Sequence, residues 1–162
     1  MFTAKDVMAL REMSGAGMMD CKRALVETDG DMDKAIDYLR EKGQKLAAKR
    51  ADRDASEGAV LAAVNQDKTF AAVIMMNCET DFVAKNDGFV DFAKTVLNAA
   101  IAAKAKDLQA VMSLTIDGVS VETMIIEQVA KIGEKITLSH YLPIEAPAAY
   151  AYVHPGNRMA SV

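Results

Sequence analysis

The sequence Asn77-Cys78-Glu79-Thr80-Asp81-Phe82-Val83-Ala84-Lys85 joins two segments of different periodicity. Residues 70–76 before it read FAAVIMM, an apolar run typical of a buried strand. Residues 87–97 after it read DGFVDFAKTVL and repeat apolar positions at helical spacing. We therefore predict a strand-to-helix junction, a place where α/β and α+β proteins usually present functional groups.

This junction places a carboxylate, Asp81, beside a large aromatic side chain, Phe82. In one interpretation Phe82 completes the hydrophobic core, and Asp81 or Asn86 caps the following helix. In the other interpretation both side chains are functional groups. The local pattern alone is compatible with both.

Composition limits the class of protein. The chain has 162 residues, a formal charge of −4, 51% hydrophobic residues and 6% aromatic residues without Trp. It can bury a core, but its net negative charge and few aromatic residues disfavour a protein that binds nucleic acid through general electrostatics or base stacking. The cysteines Cys21 and Cys78 are too few for a disulfide framework, so we predict a reduced, intracellular and cytoplasmic setting. No signal peptide or membrane-spanning run is recognised in the sequence, and no membrane partner is expected.

Helical patterns dominate the N-terminal region. The first predicted helix is capped by Thr3, buries Val7, Leu10 and Met13, and ends at the Ser14–Gly17 break. The second runs from Met18 or Met19 through Val26, and the third from the Asp31 cap to Lys42-Gly43, where the glycine is expected to end it. Together these helices predict a small three-helix bundle.

Residues 44–57, QKLAAKRADRDASE, predict a helical or frayed linker. Its basic residues could contact phosphate or could form an ordinary solvated face, and the interspersed acids at 52 and 54 weaken a basic patch.

The remainder predicts a second unit in the α+β class. A β-hairpin is expected over 59–77, followed by a long helix to about Lys104 with Phe89, Phe92, Val96, Ala100 and Ala103 facing inward.

Shorter helices follow Asp107 and Ser120, and a half-buried strand is expected over 135–142. Pro143–Pro147 is expected to interrupt the chain before a strand over 148–154 and the first residues of a partner strand over 158–162. Because that last hairpin looks unfinished, we expect the sequence to be part of a longer protein.

Several kinds of catalytic or ligand site are not recognised in the sequence. Asp29, Asp31 and Asp33 have calcium-loop spacing, but Lys34 and Arg40 occupy the positions that require Gly and Glu. We therefore assign these aspartates to turn and cap chemistry. No glycine-rich phosphate loop occurs, and no cofactor is predicted.

The histidines and cysteines also predict structural roles. His140 and His154 lack metal-ligand neighbours, and His140 is expected to be a hydrogen-bonded structural histidine. Cys21 and Cys78 are expected to be small core residues. Together these features favour a binding or regulatory protein over an enzyme.

Four blocks of sequence resemble the bacterial elongation factor Ts family. They read MSGAGMMDCKRAL over 13–25, NCETDFVA over 77–84, VAKIGEKI over 129–136, and Tyr152-Val153-His154 with Gly156 and Arg158. The blocks occur in the family's order and span nearly the whole chain. One departure is Pro155, since the family commonly has a glycine directly after the histidine.

The resemblance implies an architecture and an activity. It implies a ubiquitin-associated-like three-helix head with its linker over 1–54, an α+β dimerisation-type core over 55–145, and the incomplete start of a second core subdomain over 146–162. It implies a non-catalytic guanine-nucleotide exchange factor that acts on elongation factor Tu during translation elongation.

The resemblance also implies contact residues. Thr80, Asp81, Phe82 and Val83, here called the site segment, would disturb the magnesium site of the GTPase, with Phe82 inserted into the partner. The other implied partner-binding residues are Met18, Met19, Ile132, Gly133 and His154. For Met18 and Met19, filling of the bundle core is an open alternative interpretation.

Two other functions are compatible with parts of the sequence. The Gly15-Ala16-Gly17-Met18 loop could bind ubiquitin-like proteins in an adaptor, although the second unit would then have no role. A small acidic metalloenzyme is the third possibility, and the spacing of potential ligands disfavours it.

Overall fold

A computed structural model of the chain describes residues 2–162 and has mixed helices and antiparallel sheet, as the α+β prediction required. The chain divides into two compact units. One comprises Met1–Asp52 with Ile126–Glu134, and the other comprises Arg53–Ile125 with Lys135–Val162. Among the residues described, no helix combines the length and the apolar character needed to cross a membrane.

The first unit is helical. Its helices are α1 (Ala4–Ser14), α2 (Met18–Glu27) and α3 (Met32–Arg50), with the later part of α7 (Val121–Ile132). A capping box at Thr3 and Asp6 begins α1, and the Asp31 side chain accepts a hydrogen bond from the Lys34 amide at the start of α3. The core residues of α1–α3 include Val7, Leu10, Cys21, Ala24, Leu25, Ala35 and Leu39.

Two predictions for this unit were wrong. Met13 does not lie on the inner face of α1, because its side chain is 64% exposed. The third helix does not end at Gly43 but continues to Arg50. Gly43 is buried, and a Cβ atom built there would lie 3.1 Å from the Ala130 Cβ, so this glycine permits a close helix approach rather than a helix end.

The second unit is built on a three-stranded antiparallel sheet in the order β1-β2-β5. The strands are β1 (Glu57–Val64), β2 (Phe70–Cys78) and β5 (Thr137–Glu145). The helix α5 (Asp87–Ala102) packs across β1 and β2. Four of its predicted inner residues are buried, whereas Ala103 lies past the end of α5 and is exposed.

Smaller elements complete this unit. They are α4 (Asp81–Ala84), α6 (Leu108–Ser113), β3 (Thr115–Ile116), β4 (Val119–Ser120), β6 (Tyr152–Val153) and β7 (Ala160–Ser161). The strands β3 and β4 form one antiparallel pair, and β6 and β7 form another. The predicted strand over 148–154 was too long, since only Tyr152 and Val153 are paired.

The interruption expected over Pro143–Pro147 was placed too early, because β5 ends only at Glu145. The strand β5 continues through Pro143, which pairs with Ala72, and ends at Glu145. Because β5 is an edge strand of its sheet, a residue without an N–H group can be accommodated there.

His140 was expected to have a structural role but is exposed, with its Nδ1 atom 2.8 Å from the Ser139 hydroxyl.

Candidate functional site

The strand-to-helix junction predicted from the sequence is present. The strand β2 ends at Cys78, α4 forms one helical turn from Asp81 to Ala84, and α5 begins at Asp87. Thr80 caps α4, since its Oγ1 accepts a hydrogen bond from the Val83 amide at 3.4 Å. Asn86 caps α5, as one interpretation predicted, whereas Asp81 lies inside α4 rather than at its cap.

Phe82 projects from this turn into solvent. Its side chain is 82% exposed, whereas Ala84 on the same turn is buried. The interpretation in which Phe82 completes the core is therefore wrong. A large exposed aromatic side chain on a well-formed turn is available to a partner protein.

Asp81 remains ionised beside Phe82. Its Oδ2 atom lies 2.6 Å from the Lys85 ammonium, and this hydrogen bond lowers the pKa of Asp81 below its ordinary value of 3.8. The charges of Lys85 and Arg158 lower this pKa further. The site segment therefore presents a carboxylate and a phenyl ring together at neutral pH.

Hydrogen bonds behind the site segment fix its starting point. The Cys78 thiol lies 3.2 Å from the Thr80 carbonyl oxygen, and the Glu79 carboxylate accepts a hydrogen bond from the Lys135 amide at 2.6 Å. The buried Asn77 donates to the Glu57 carbonyl oxygen and accepts from the Ser139 hydroxyl. The end of β2 is thus tied to both neighbouring strands before the chain turns into α4.

Met18 and Met19 begin α2 and are exposed by 41% and 67%. The alternative that they fill the bundle core is therefore wrong. Two further methionines, Met8 and Met13, are exposed on α1, and Met8 and Met18 line a shallow groove. Met8 was not among the predicted contact residues. Its only signal in the sequence is that it is apolar and lies outside the helix face formed by Val7 and Leu10. Exposed methionines form a compliant apolar surface.

The other predicted contact residues lie at chain reversals. Gly133 ends α7 with a φ of +83°, and its N–H group bonds the Val129 carbonyl oxygen at 2.8 Å. Ile132, just before it, is half-buried. His154 is exposed directly after β6, and its Nδ1 atom lies 2.8 Å from the Tyr152 hydroxyl.

The structure places these predicted residues in two groups. Thr80, Asp81, Phe82, Val83 and His154 belong to the sheet-containing unit. Met18, Met19, Ile132 and Gly133 belong to the helical unit. Within residues 2–162, no three His, Cys, Asp or Glu residues are grouped so that they could hold a metal ion.

Comparisons with known proteins agree with the sequence resemblance. A family model described as Elongation factor TS matches residues 79–162. Curated relatives named Elongation factor Ts include those of Amoebophilus asiaticus, 50% identical over 158 residues, and Christiangramia forsetii, 51% identical over 158 residues. Each of these alignments covers 98% of this chain and 57% of the relative. The relative from Rhodopirellula baltica is 46% identical over 157 residues, which are 97% of this chain and 48% of the relative.

This chain therefore spans about half the length of the curated relatives that it matches. The family model covers more than half of the chain, and the relatives align with nearly all of it. By the match to the family model, the chain belongs to the elongation factor Ts family.

Proposed function

We propose that this chain is a translation elongation factor that promotes GDP release from elongation factor Tu in the bacterial cytoplasm. Membership of the elongation factor Ts family supports this proposal. The observation that carries it is the exposure of Phe82, 82% of whose side chain is open to solvent beside the ionised Asp81. The chain itself needs no cofactor in this role and does not act as an enzyme.

Nucleotide exchange requires differential binding. A GTPase holds GDP through backbone amides, a lysine and Mg²⁺. An exchange factor weakens that hold only if it binds the nucleotide-free GTPase more tightly than the GDP-bound form, and the coupling is reciprocal. To weaken GDP binding about 10⁴-fold, the factor must bind the nucleotide-free GTPase more tightly than the GDP-bound form by roughly 5.5 kcal/mol.

The site segment has suitable chemistry for part of that difference. Buried aromatic anchors contribute strongly at protein interfaces, and Phe82 is the large aromatic side chain that α4 offers. In this proposal Phe82 inserts into the GTPase near its magnesium site, with Thr80 and Val83 forming the adjoining surface. Asp81 brings a negative charge toward the region that holds Mg²⁺, which would disturb the metal's ligands.

The remaining contact residues hold the partner at other places. Met18 and Met19 contact the GTPase domain through a compliant apolar surface, as their exposure allows. Ile132 and Gly133 lie near the same GTPase surface in this proposal. His154 contacts a different domain of the partner. The division into domains 1–54, 55–145 and 146–162 stays a prediction.

Release of labelled GDP tests the proposal directly. The 162-residue chain is mixed with elongation factor Tu loaded with fluorescent GDP, and an excess of unlabelled GDP prevents rebinding. We expect release to accelerate with increasing chain concentration and then to saturate. A release rate that stays at its spontaneous value across that range would contradict the proposed function.

A further inference from the structure

We propose that Arg158 is a positioning residue that holds α4, and with it Phe82, through the Glu57 carboxylate and the neighbouring charge of Asp81. The contacts that support this role lie within the isolated chain. Its consequence for nucleotide exchange rests on the proposed function.

Glu57 lies directly behind the site segment. It begins β1 and pairs in register with Cys78, which is two residues before Thr80. The next residue, Gly58, approaches β2 so closely that a Cβ atom built there would lie 2.2 Å from the Met76 carbonyl oxygen. The backbone of Glu57 is therefore held against the end of the strand from which α4 emerges.

Arg158 supplies the charge that this carboxylate needs. The Arg158 Nη1 atom lies 2.8 Å from the Glu57 Oε2 atom. That oxygen is buried and accepts no hydrogen bond of good geometry from residues 2–162, so its compensation here is the ion pair. The Glu57 and Arg158 side chains are 30% and 58% exposed, so solvent screens this ion pair and weakens it. The pair is therefore a modest connection, of a size that a several-fold change in local amide exchange would reveal.

The backbone around Arg158 is anchored as well. The preceding residue, Asn157, accepts a hydrogen bond from the Val60 amide of β1 at 2.8 Å. The following residue, Met159, accepts one from the His154 amide at 2.8 Å. The guanidinium group is thus carried by a turn that is itself fixed to β1.

Arg158 also acts electrostatically on Asp81. Its positive charge is one of the causes that lower the pKa of Asp81, after the stronger effect of Lys85. Lys85 comes from the same helical turn as Asp81, four residues later, so their ion pair cannot fasten α4 to the rest of the unit. Arg158 comes from a different element and attracts two acidic residues, one on β1 and one on α4.

A connection of this kind matters because α4 has only four residues. A helix of one turn is not stable by itself and depends on tertiary contacts. A Phe82 that is held in one place before binding loses less conformational freedom when it inserts into a partner. Arg158 would thus contribute by ordering the site segment in advance, without touching the nucleotide.

Amide hydrogen exchange of the isolated chain provides the structural test. The Ala84 and Lys85 amides donate to the Thr80 and Asp81 carbonyl oxygens, so they report opening of α4. In Arg158→Gln we expect both amides to exchange about fivefold faster or more, while the Val90 amide of α5 keeps its rate. The matched control is Lys94→Gln, which removes an exposed ion pair with Asp91 on α5 and should leave α4 unchanged.

Titration of the Asp81 carboxyl by carbon NMR gives a second readout. Loss of the Arg158 charge should raise the pKa of Asp81 toward 3.8, and Arg158→Lys should restore part of the original value. A general loss of stability would not make the pKa of Asp81 follow the charge at residue 158, with the lowest pKa in wild type, an intermediate pKa in Arg158→Lys and the highest pKa in Arg158→Gln. If Arg158→Gln is not folded at 25 °C, Glu57→Gln is measured in its place and should speed α4 exchange in the same way.

Exchange kinetics with elongation factor Tu separate the two proposals. If wild-type chain accelerates GDP release, Arg158→Gln should lower that acceleration about fivefold and Lys94→Gln should not. If wild-type chain is inactive, the proposed function fails, while the NMR measurements still decide the role of Arg158. Unchanged α4 exchange in Arg158→Gln would overturn the positioning role, even if the Asp81 titration shifts.

Discussion

Phe82 is exposed because of the geometry of a single helical turn. Thr80 begins α4 and Ala84 is the turn's buried residue, so the side chain two positions before Ala84 points away from the sheet. Sequence periodicity could not predict this direction, since one turn contains too few residues to show a helical period. The family resemblance supplied the outward-facing alternative, and the structure agrees with that exposure.

Replacement of Phe82 separates a role in binding from a role in folding. Phe82→Ala should reduce the acceleration of GDP release about 30-fold, which corresponds to ~2 kcal/mol for an aromatic hot spot. The melting temperature should change by less than about 2 °C, because substitutions of exposed side chains usually change stability little. Release kinetics and calorimetry on the same preparations measure both quantities.

Tyr150 is a matched control for this substitution. It is another exposed aromatic residue of the same unit, 69% exposed, and lies outside the proposed contact residues. Tyr150→Ala should leave the release rate unchanged, although it loses a cation–π contact with Lys68. Equal activities of wild type and Phe82→Ala would remove Phe82 from the mechanism.

At the scale of elements, the sequence predicted the long helices and the main strands but misjudged two residues that usually end them. Gly43 and Pro143 both lie inside regular elements. Because Gly43 has no side chain, α3 can approach α7 closely at this residue. Pro143 lies on an edge strand. Both outcomes depend on which element lies alongside, which is tertiary information that a local pattern does not contain.

Substituting Gly43 by larger residues tests its close contact with α7. Leu is a better helix former than Gly, so helix propensity alone predicts that Gly43→Leu stabilises α3 by about 1 kcal/mol. We expect the opposite, a loss of about 2 kcal/mol, because the added side chain would overlap Ala130 and Ile126. Urea unfolding followed by circular dichroism measures the change.

Gly43→Ala is the control for that experiment. Its gain in helix propensity and its tight 3.1 Å approach to the Ala130 Cβ oppose each other, so the net change should stay within about 1 kcal/mol. If Gly43→Leu were as stable as wild type, the close approach of α3 and α7 at this residue would be incorrect.

The caps of α1 and α3 predict a dependence of stability on pH. Backbone hydrogen bonds from Thr3 and Lys34 lower the pKa values of Asp6 and Asp31 below 3.8. The unfolded chain therefore binds these protons more tightly, and stability rises with pH across the interval between the folded and unfolded pKa values. The stabilisation is complete above about pH 5, where the carboxyls are ionised in both states, and is lost as the pH falls through the lower, folded values.

Asp31→Asn tests this linkage, because asparagine caps helices about as well as aspartate but does not titrate. Between pH 6 and pH 3, the urea midpoint of the helical signal should fall further in wild type than in Asp31→Asn. Equal decreases in the two proteins would show that the Asp31 carboxylate does not contribute to the acid sensitivity.

At the scale of the whole molecule, both compact units contribute residues to the proposed interface. The helical unit supplies an apolar methionine surface, and the sheet-containing unit supplies the site segment and His154. An interface that draws on two units can distribute binding energy between holding the GTPase and disturbing its nucleotide site. Only the contacts that disturb the nucleotide site change GDP affinity. Contacts of equal strength to the loaded and the empty GTPase shift no equilibrium.

Reciprocal coupling gives the prediction that belongs to this scale. The factor by which saturating chain raises the dissociation constant of GDP must equal the factor by which GDP with Mg²⁺ raises the dissociation constant of the chain. Titration calorimetry on elongation factor Tu, with and without nucleotide, measures both. Phe82→Ala should reduce this common factor, whereas Met18→Ala should weaken binding to the loaded and empty GTPase alike and leave the factor unchanged. If Phe82→Ala instead weakened both affinities equally, Phe82 would be a holding contact, and the disturbance of the nucleotide site would have to come from other residues of this chain.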